Sequence, residues 1–163
     1  KIKAVADCPS TTLRKFLHRT PPASLERVDN HSHNTDSATL RMEKIQRAVG
    51  QLKSEVLGIQ GPPGCGKTWA SARIIENLVK NGKSVLVSSN SHAAILNLLE
   101  AIEKVPCYKV KAGNEDKKEW GPNICEVKQE EVVPRCHPVV GSTVFGTLKF
   151  AYRFDYLFVD EAG

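Results

Sequence analysis

No run of apolar residues in this 163-residue sequence approaches the roughly 18–20 needed to cross a bilayer. No series of charged, apolar and small residues opens it, so no secretion signal is read at its start. Cysteine is scattered: Cys8, Cys65, Cys107, Cys125 and Cys136 are odd in number and irregular in spacing. That usage is not a disulfide framework, and it points to a reducing cytoplasm. A close C-x-x-C pair, on which structural zinc sites are commonly built, is missing too. Cys107, Cys125, Cys136 and His137 therefore read as separate thiols and an imidazole. An initiator Met is absent at Lys1, and an apolar strand runs into Asp160-Glu161-Ala162-Gly163 with nothing after it. The expectation is a piece of a longer protein.

What is present is ordinary globular composition, 40% hydrophobic and 25% charged, enough for one domain with a core but cramped for two. Lys and Arg outnumber Asp and Glu by 23 to 18. The excess fits a polyanion partner, yet many proteins that bind none carry as much.

Residues 1–37 are polar and proline-broken, with Pro21-Pro22 and His31 and His33 in a solvated stretch. They read as a linker or the tail of an upstream domain, and residues 38–163 as the ordered part. A helix starts near Asp36 or Ser37, with Leu40, Ile45, Val49 and Leu52 on one face. Val56 to Gln60 reads as a short buried strand. The next helix runs from Lys67 to about Lys80, its inward stripe Ile74, Ile75, Leu78 and Val79 and its stop Asn81-Gly82. Ser84 to Ser88 is a strand. Ser91 caps a helix facing inward through Ile95, Leu98, Leu99 and Ile102, with Pro106 beyond its end. A strand follows at Tyr108 to Val110, then a charged loop or short helix over 113–132. Val139 to Thr143 and Tyr156 to Asp160 are two more buried strands. Strands alternating with helices imply an α/β layered fold on a mainly parallel sheet.

Gly61-Pro62-Pro63-Gly64-Cys65-Gly66-Lys67-Thr68 fits G-x-x-x-x-G-K-T between a strand and a helix start, the signature of a P-loop NTPase. Glycines let the backbone wrap closely and aim N–H groups at phosphate oxygens, and the helix N-terminus adds partial positive charge. Gly61, Pro62, Gly64, Cys65, Gly66, Lys67 and Thr68 are thus the expected ATP-binding residues. Lys67 is expected to reach the β- and γ-phosphates, and the Thr68 hydroxyl to coordinate Mg2+. Cys65 stands where a hydroxyl residue is common; a small thiol of similar volume is tolerated there, or it serves as an oxidation switch. Asp160 and Glu161 end an apolar strand: Asp160 to hold the metal, Glu161 to orient and deprotonate the attacking water. Such a pair favours hydrolysis over phosphoryl transfer to a second substrate.

With these pieces in order, the chain resembles the first RecA-like half of a superfamily 1 helicase. Gly61 to Thr68 is similar to motif I, and Val85 to Leu99 (VLVSSNSHAAILNLL) to motif Ia. Val140 to Thr143 is similar to motif Ic, and Asp160 to Gly163 to motif II. The ending DEAG points to the branch of the nonsense-mediated-decay helicases. A bacterial group in which a RecB-like nuclease precedes such a helicase is similar at Leu57 to Gln60, Asn90-Ser91-His92, Val139 to Thr143 and Leu17 to Pro22. The resemblance covers about residues 13–163. It implies a RecA-like three-layer sandwich, cut after the motif II strand. It also implies contacts from Ser89, Asn90, Ser91, His92 and Thr143 to the backbone of a single strand of DNA or RNA. A second RecA-like half of the same parent chain would supply arginines to the γ-phosphate.

The chain departs from the family where an adenine-reading Gln is expected near position 44, which is Lys44 here; Gln46 is out of register. In this fold the strand after motif II lies between the motif I and motif II strands. The expected function is the ATP-hydrolysing motor of a helicase or translocase, from a nuclease–helicase fusion, with the isolated chain nearly inactive. The alternative is a P-loop NTPase acting on protein partners, which strand-stimulated hydrolysis separates. A degenerate, merely partner-binding domain is the third reading, and intact Lys67, Thr68, Asp160 and Glu161 speak against it.

Overall fold

The structure is a computed structural model that describes residues 38–111, 120–150 and 154–160, together with Thr12, Lys15, His18 and Pro22. It divides into two compact units, Lys1–Cys65 and Gly66–Gly163.

In the first unit, helix α1 spans Ala38–Gly50. Its expected inward stripe holds only near the C-terminal end: Ala48 and Val49 are buried, whereas Leu40 and Ile45 are 41% and 38% exposed. Past the helix, Ser54 takes a left-handed φ of 51°. Its carbonyl accepts from Thr12 Oγ1 at 2.9 Å, and Glu55 pairs with Lys15 at 3.2 Å. Val56 to Gln60 corrects the sequence reading: it forms no strand, and Val56 and Ile59 are 39% and 48% exposed. A strand exists only where a neighbour takes its N–H and C=O groups, and apolar composition alone does not supply one.

In the second unit, α2 spans Lys67–Lys80 with the boundaries its periodicity predicts. Ile74, Ile75 and Leu78 are buried on one stripe. Asn81 ends the helix, and Gly82 adopts the positive φ of 74° that the turn requires. Strand β1 follows at Val85–Ser89 and helix α3 at His92–Glu100. Then come β2 at Cys107–Val110, β3 at Ile124–Val127 and a 3-10 turn at Gln129–Glu131. Strand β4 at Val139–Thr143, a single helical turn α4 at Val144–Thr147 and β5 at Tyr156–Val159 complete the described elements.

The five strands form one all-parallel sheet in the order β3-β2-β4-β1-β5. β4 sits between β1 and β2, so the chain crosses over the sheet, as parallel pairing demands. Side chains alternate between faces. Gly141 lies under α3, where a Cβ would come within 2.6 Å of Ile95 and 2.8 Å of Leu99, so glycine permits the close approach of helix to sheet. On the opposite face Leu86, Val110, Val127, Val132 and Val140 form a core cluster with Tyr108, Phe150 and Phe154 against it. The α4 turn sits on that face as well, tight enough that a Cβ on Gly146 would collide with Ser142 Oγ.

Two further corrections concern the sheet. The charged region 113–132 contains the unexpected strand β3; residues 112–119 lie outside the described residues. β3 is readable only from its partner: Cys107 to Val110 supplies the ladder. Lys109, fully buried on β2, places its ammonium 4.9 Å from the centre of the Trp120 ring, and Trp120 Nε1 donates to Glu126 of β3 at 3.3 Å. The last strand, expected to be buried, is half-exposed, with Leu157 and Val159 at 60% and 50%. β5 pairs with β1 alone among the described residues.

Candidate nucleotide-binding site

The eight-residue loop spans the point where the chain passes from one compact unit to the other. On the first side, Gly64 has φ 75°, and Cys65 is exposed, its backbone N–H donating to the Pro62 carbonyl at 3.4 Å. On the second side, Gly66 is the N-cap of α2 with φ 85°, ψ 18°. Both glycines hold left-handed backbone that an L side chain strains to adopt. Lys67 and Thr68 are the first two residues of α2.

The N-cap of α2 is a glycine, which has no side chain to cap the helix, and the first turn carries no acidic residue. A helix start leaves its first N–H groups without intrahelical partners, and its dipole adds partial positive charge. An ammonium and a hydroxyl stand at the same end. That donor set suits a phosphate chain and its metal.

The topology brings the acidic residue to the same edge. α2 ends at Lys80, a short turn before β1 begins at Val85, so it runs antiparallel to the strands. Its start therefore lies at the edge where the parallel strands end. Asp160 is there too: it follows β5, is half-buried, and its N–H donates to the Ser88 carbonyl of β1 at 2.9 Å. Glu161 lies outside the described residues.

The residues expected on a nucleic-acid strand share this edge but differ in access. Ser89 pairs in register with Thr143 across β1 and β4. Ser89 is fully buried, and its Oγ accepts from the Ser91 N–H at 3.2 Å, so it shapes the turn rather than facing outward. Ser91 caps α3 by accepting from Ala94 N–H at 3.3 Å, and Thr143 caps α4 by accepting from Gly146 N–H at 3.2 Å. Asn90 and His92 are exposed.

Three further groups were not legible in the sequence, the first two of them near this edge. Trp69, beside Thr68, is 55% exposed; its place next to the loop was the available signal. Ser88 has a buried hydroxyl without a hydrogen-bond partner among the described residues. Asp155 fastens the start of β5: its carboxylate accepts from Ser84 N–H at 2.8 Å and Ser84 Oγ at 2.9 Å. Those bonds, backbone first, hold its carboxyl below the usual Asp range. Nothing local announces a partner 71 residues away.

An all-parallel α/β sheet, a glycine-bounded loop opening a helix, and an acid at a strand end together define a RecA-like P-loop NTPase domain. A family profile described as an AAA domain, AAA_11, matches residues 36–141. The chain belongs to that family, which lies within the superfamily 1 helicases. It is 32% identical over 134 residues to the DNA replication ATP-dependent helicase/nuclease DNA2 of Saccharomyces cerevisiae, covering 74% of this chain and 8% of the yeast protein. To the DNA-binding protein SMUBP-2 of Mus musculus it is 35% identical over 83 residues, 51% of this chain and 8% of the relative. To regulator of nonsense transcripts 1 of Caenorhabditis elegans it is 48% identical over 60 residues, 36% of this chain and 6% of the relative. The matches thus span about a tenth or less of these relatives. No solved structure gives a significant match.

Proposed function

We propose that this chain is the nucleotide-binding part of an ATP-driven helicase or translocase that moves on single-stranded DNA or RNA. The observation that carries this reading is the α2 start with Lys67 and Thr68, on the sheet edge shared by Asp160, Asn90 and His92. Backbone N–H groups at the α2 start, from Gly66 to Thr68, hold the phosphates, and Lys67 offsets charge that develops as the terminal phosphoryl leaves. Thr68 and Asp160 would hold Mg2+, which when bound would supply further neutralisation of phosphate charge. Glu161 orients the attacking water and accepts its proton.

At the strand edge, Asn90 and His92 face solvent and donate to backbone phosphates without reading sequence. The Ser91 and Thr143 hydroxyls each keep a proton to donate while their oxygens cap a helix. Ser89 holds the turn. The name of the yeast relative, a helicase/nuclease, supports a nuclease–helicase parent; in this reading the parent works in the cytoplasm together with a second RecA-like half. No described helix is long and apolar enough to cross a membrane. The isolated chain turns over almost no ATP in this reading, since the second half completes the site.

The test is ATP hydrolysis by the full-length parent, alone and with single-stranded DNA or RNA, beside Lys67→Ala and Glu161→Gln. Stimulation by one polymer is expected, with each substitution lowering the rate by about 10²–10³-fold. Lys67-dependent hydrolysis indifferent to both polymers would instead favour a protein-remodelling NTPase.

A further inference from the structure

Trp69 is the third residue of α2, and it does not belong to that helix's buried stripe. Ile74, Ile75 and Leu78 are 0–2% exposed, while Trp69 is 55% exposed. Among the described residues its ring makes no aromatic or cation–π contact and its Nε1 no hydrogen bond. Arg73, one turn on and next to it on the helix surface, is committed elsewhere. Its Nη1 pairs with Glu76 at 3.0 Å and its Nη2 donates to the Ala101 carbonyl at 3.1 Å. The other tryptophan, Trp120, is the contrast: it covers the Lys109 ammonium and donates to Glu126.

A large aromatic surface left in water is costly compared with burying it. This one stands beside Thr68, at the end of α2 that opens on Gly66. Side chains on a helix lean toward its N-terminus and cover the turn before their own Cα. That general lean directs a side chain at Trp69 toward the Gly66 end of α2, the end assigned to the phosphates. A base joined to those phosphates through a sugar is a flat group of the kind an exposed indole can stack on.

We infer that Trp69 is the base-stacking residue of the nucleotide site and takes the face of a purine. Stacking follows ring area rather than a pattern of donors and acceptors. Adenine and guanine nucleotides bind alike on this surface, and pyrimidine nucleotides bind more weakly. The inference rests on the phosphate reading of the α2 start given above, and it concerns only what the base contributes.

Binding of MgADP, MgGDP, MgCDP and base-free inorganic tripolyphosphate to the full 163-residue chain separates the two readings. Trp69→Ala is expected to weaken ADP about 5- to 100-fold and to leave tripolyphosphate within twofold. Trp69→Phe should retain most of the affinity. In a Trp120→Phe background, where Trp69 is the sole indole, ADP should quench the fluorescence and tripolyphosphate should not. Equal effects of Trp69→Ala on ADP and tripolyphosphate, or none on either, would overturn the stack. Tripolyphosphate bound as tightly by Lys67→Ala as by wild type, or by neither, would overturn the phosphate site itself and the stack with it. Trp69 is exposed, and circular dichroism of each variant checks that the fold is intact.

Discussion

The thiol of Cys107 is fully buried on β2, and burial, with the charge of Glu76 adding, pushes its pKa up to about 12. Thiolate is the reactive form, so Cys107 resists alkylation at pH 8 until the sheet opens. Cys65, Cys125 and Cys136 are exposed and react first. Peptide mapping after timed iodoacetamide treatment reads the order; early labelling of Cys107 would contradict its burial. At this scale the sequence was informative about chemistry and poor about access. The Gly64 and Gly66 backbone and the Lys67-Thr68 placement follow from neighbours in the chain. Ser89 reads the same as Ser91 in one dimension, and only the fold makes the first a buried turn-former and the second a helix cap.

β5 shows how an element can depend on a single distant side chain. It is four residues long, half-exposed and paired with β1 alone among the described residues. A short edge strand of this kind specifies its register weakly. The Asp155–Ser84 bonds pin one end of it, and the Asp160 N–H to Ser88 bond the other. The depressed carboxyl of Asp155 has a definite sign in stability. Its contribution is present above the ordinary Asp pKa of about 3.9 and is lost as pH falls through the lower folded value. Asp155→Asn should therefore destabilise at pH 7, and the difference from wild type should narrow below about pH 4. Urea unfolding at a series of pH values measures it, and a gap that widens in acid would refute the latch. The helices, in contrast, were legible. α2 needed only its own apolar spacing, its Gly66 start and Asn81-Gly82. β3 was not, because Ile-Cys-Glu-Val is unremarkable until Cys107 to Val110 lies alongside.

Across the whole molecule the apolar surface is unevenly covered. Phe145 and Leu148 are both 80% exposed, and Leu157 and Val159 follow at 60% and 50% on the β5 edge of the sheet. An open apolar edge is a template for association. The isolated chain should self-associate as its concentration rises, and Leu157→Lys should reduce this, because a charge on an edge strand blocks pairing. Sedimentation velocity decides, and a wild-type chain that stays monomeric at high concentration would count against the exposed edge.

The sequence by itself determined the positive-φ glycine before α2, the limits of α2, the cap of α3 and the α/β class. Each of these rests on residues within a few positions of one another: a glycine that tolerates positive φ, a hydroxyl three residues before an N–H, an apolar repeat of one turn. Only the tertiary structure decided which apolar runs became strands and which strand is the edge. It alone denied Val56 to Gln60 a place in the sheet, joined Asp155 to Ser84 and left Trp69 in solvent. Sheet pairing and burial depend on what arrives from far along the chain, and a local pattern carries no record of the partner that will meet it.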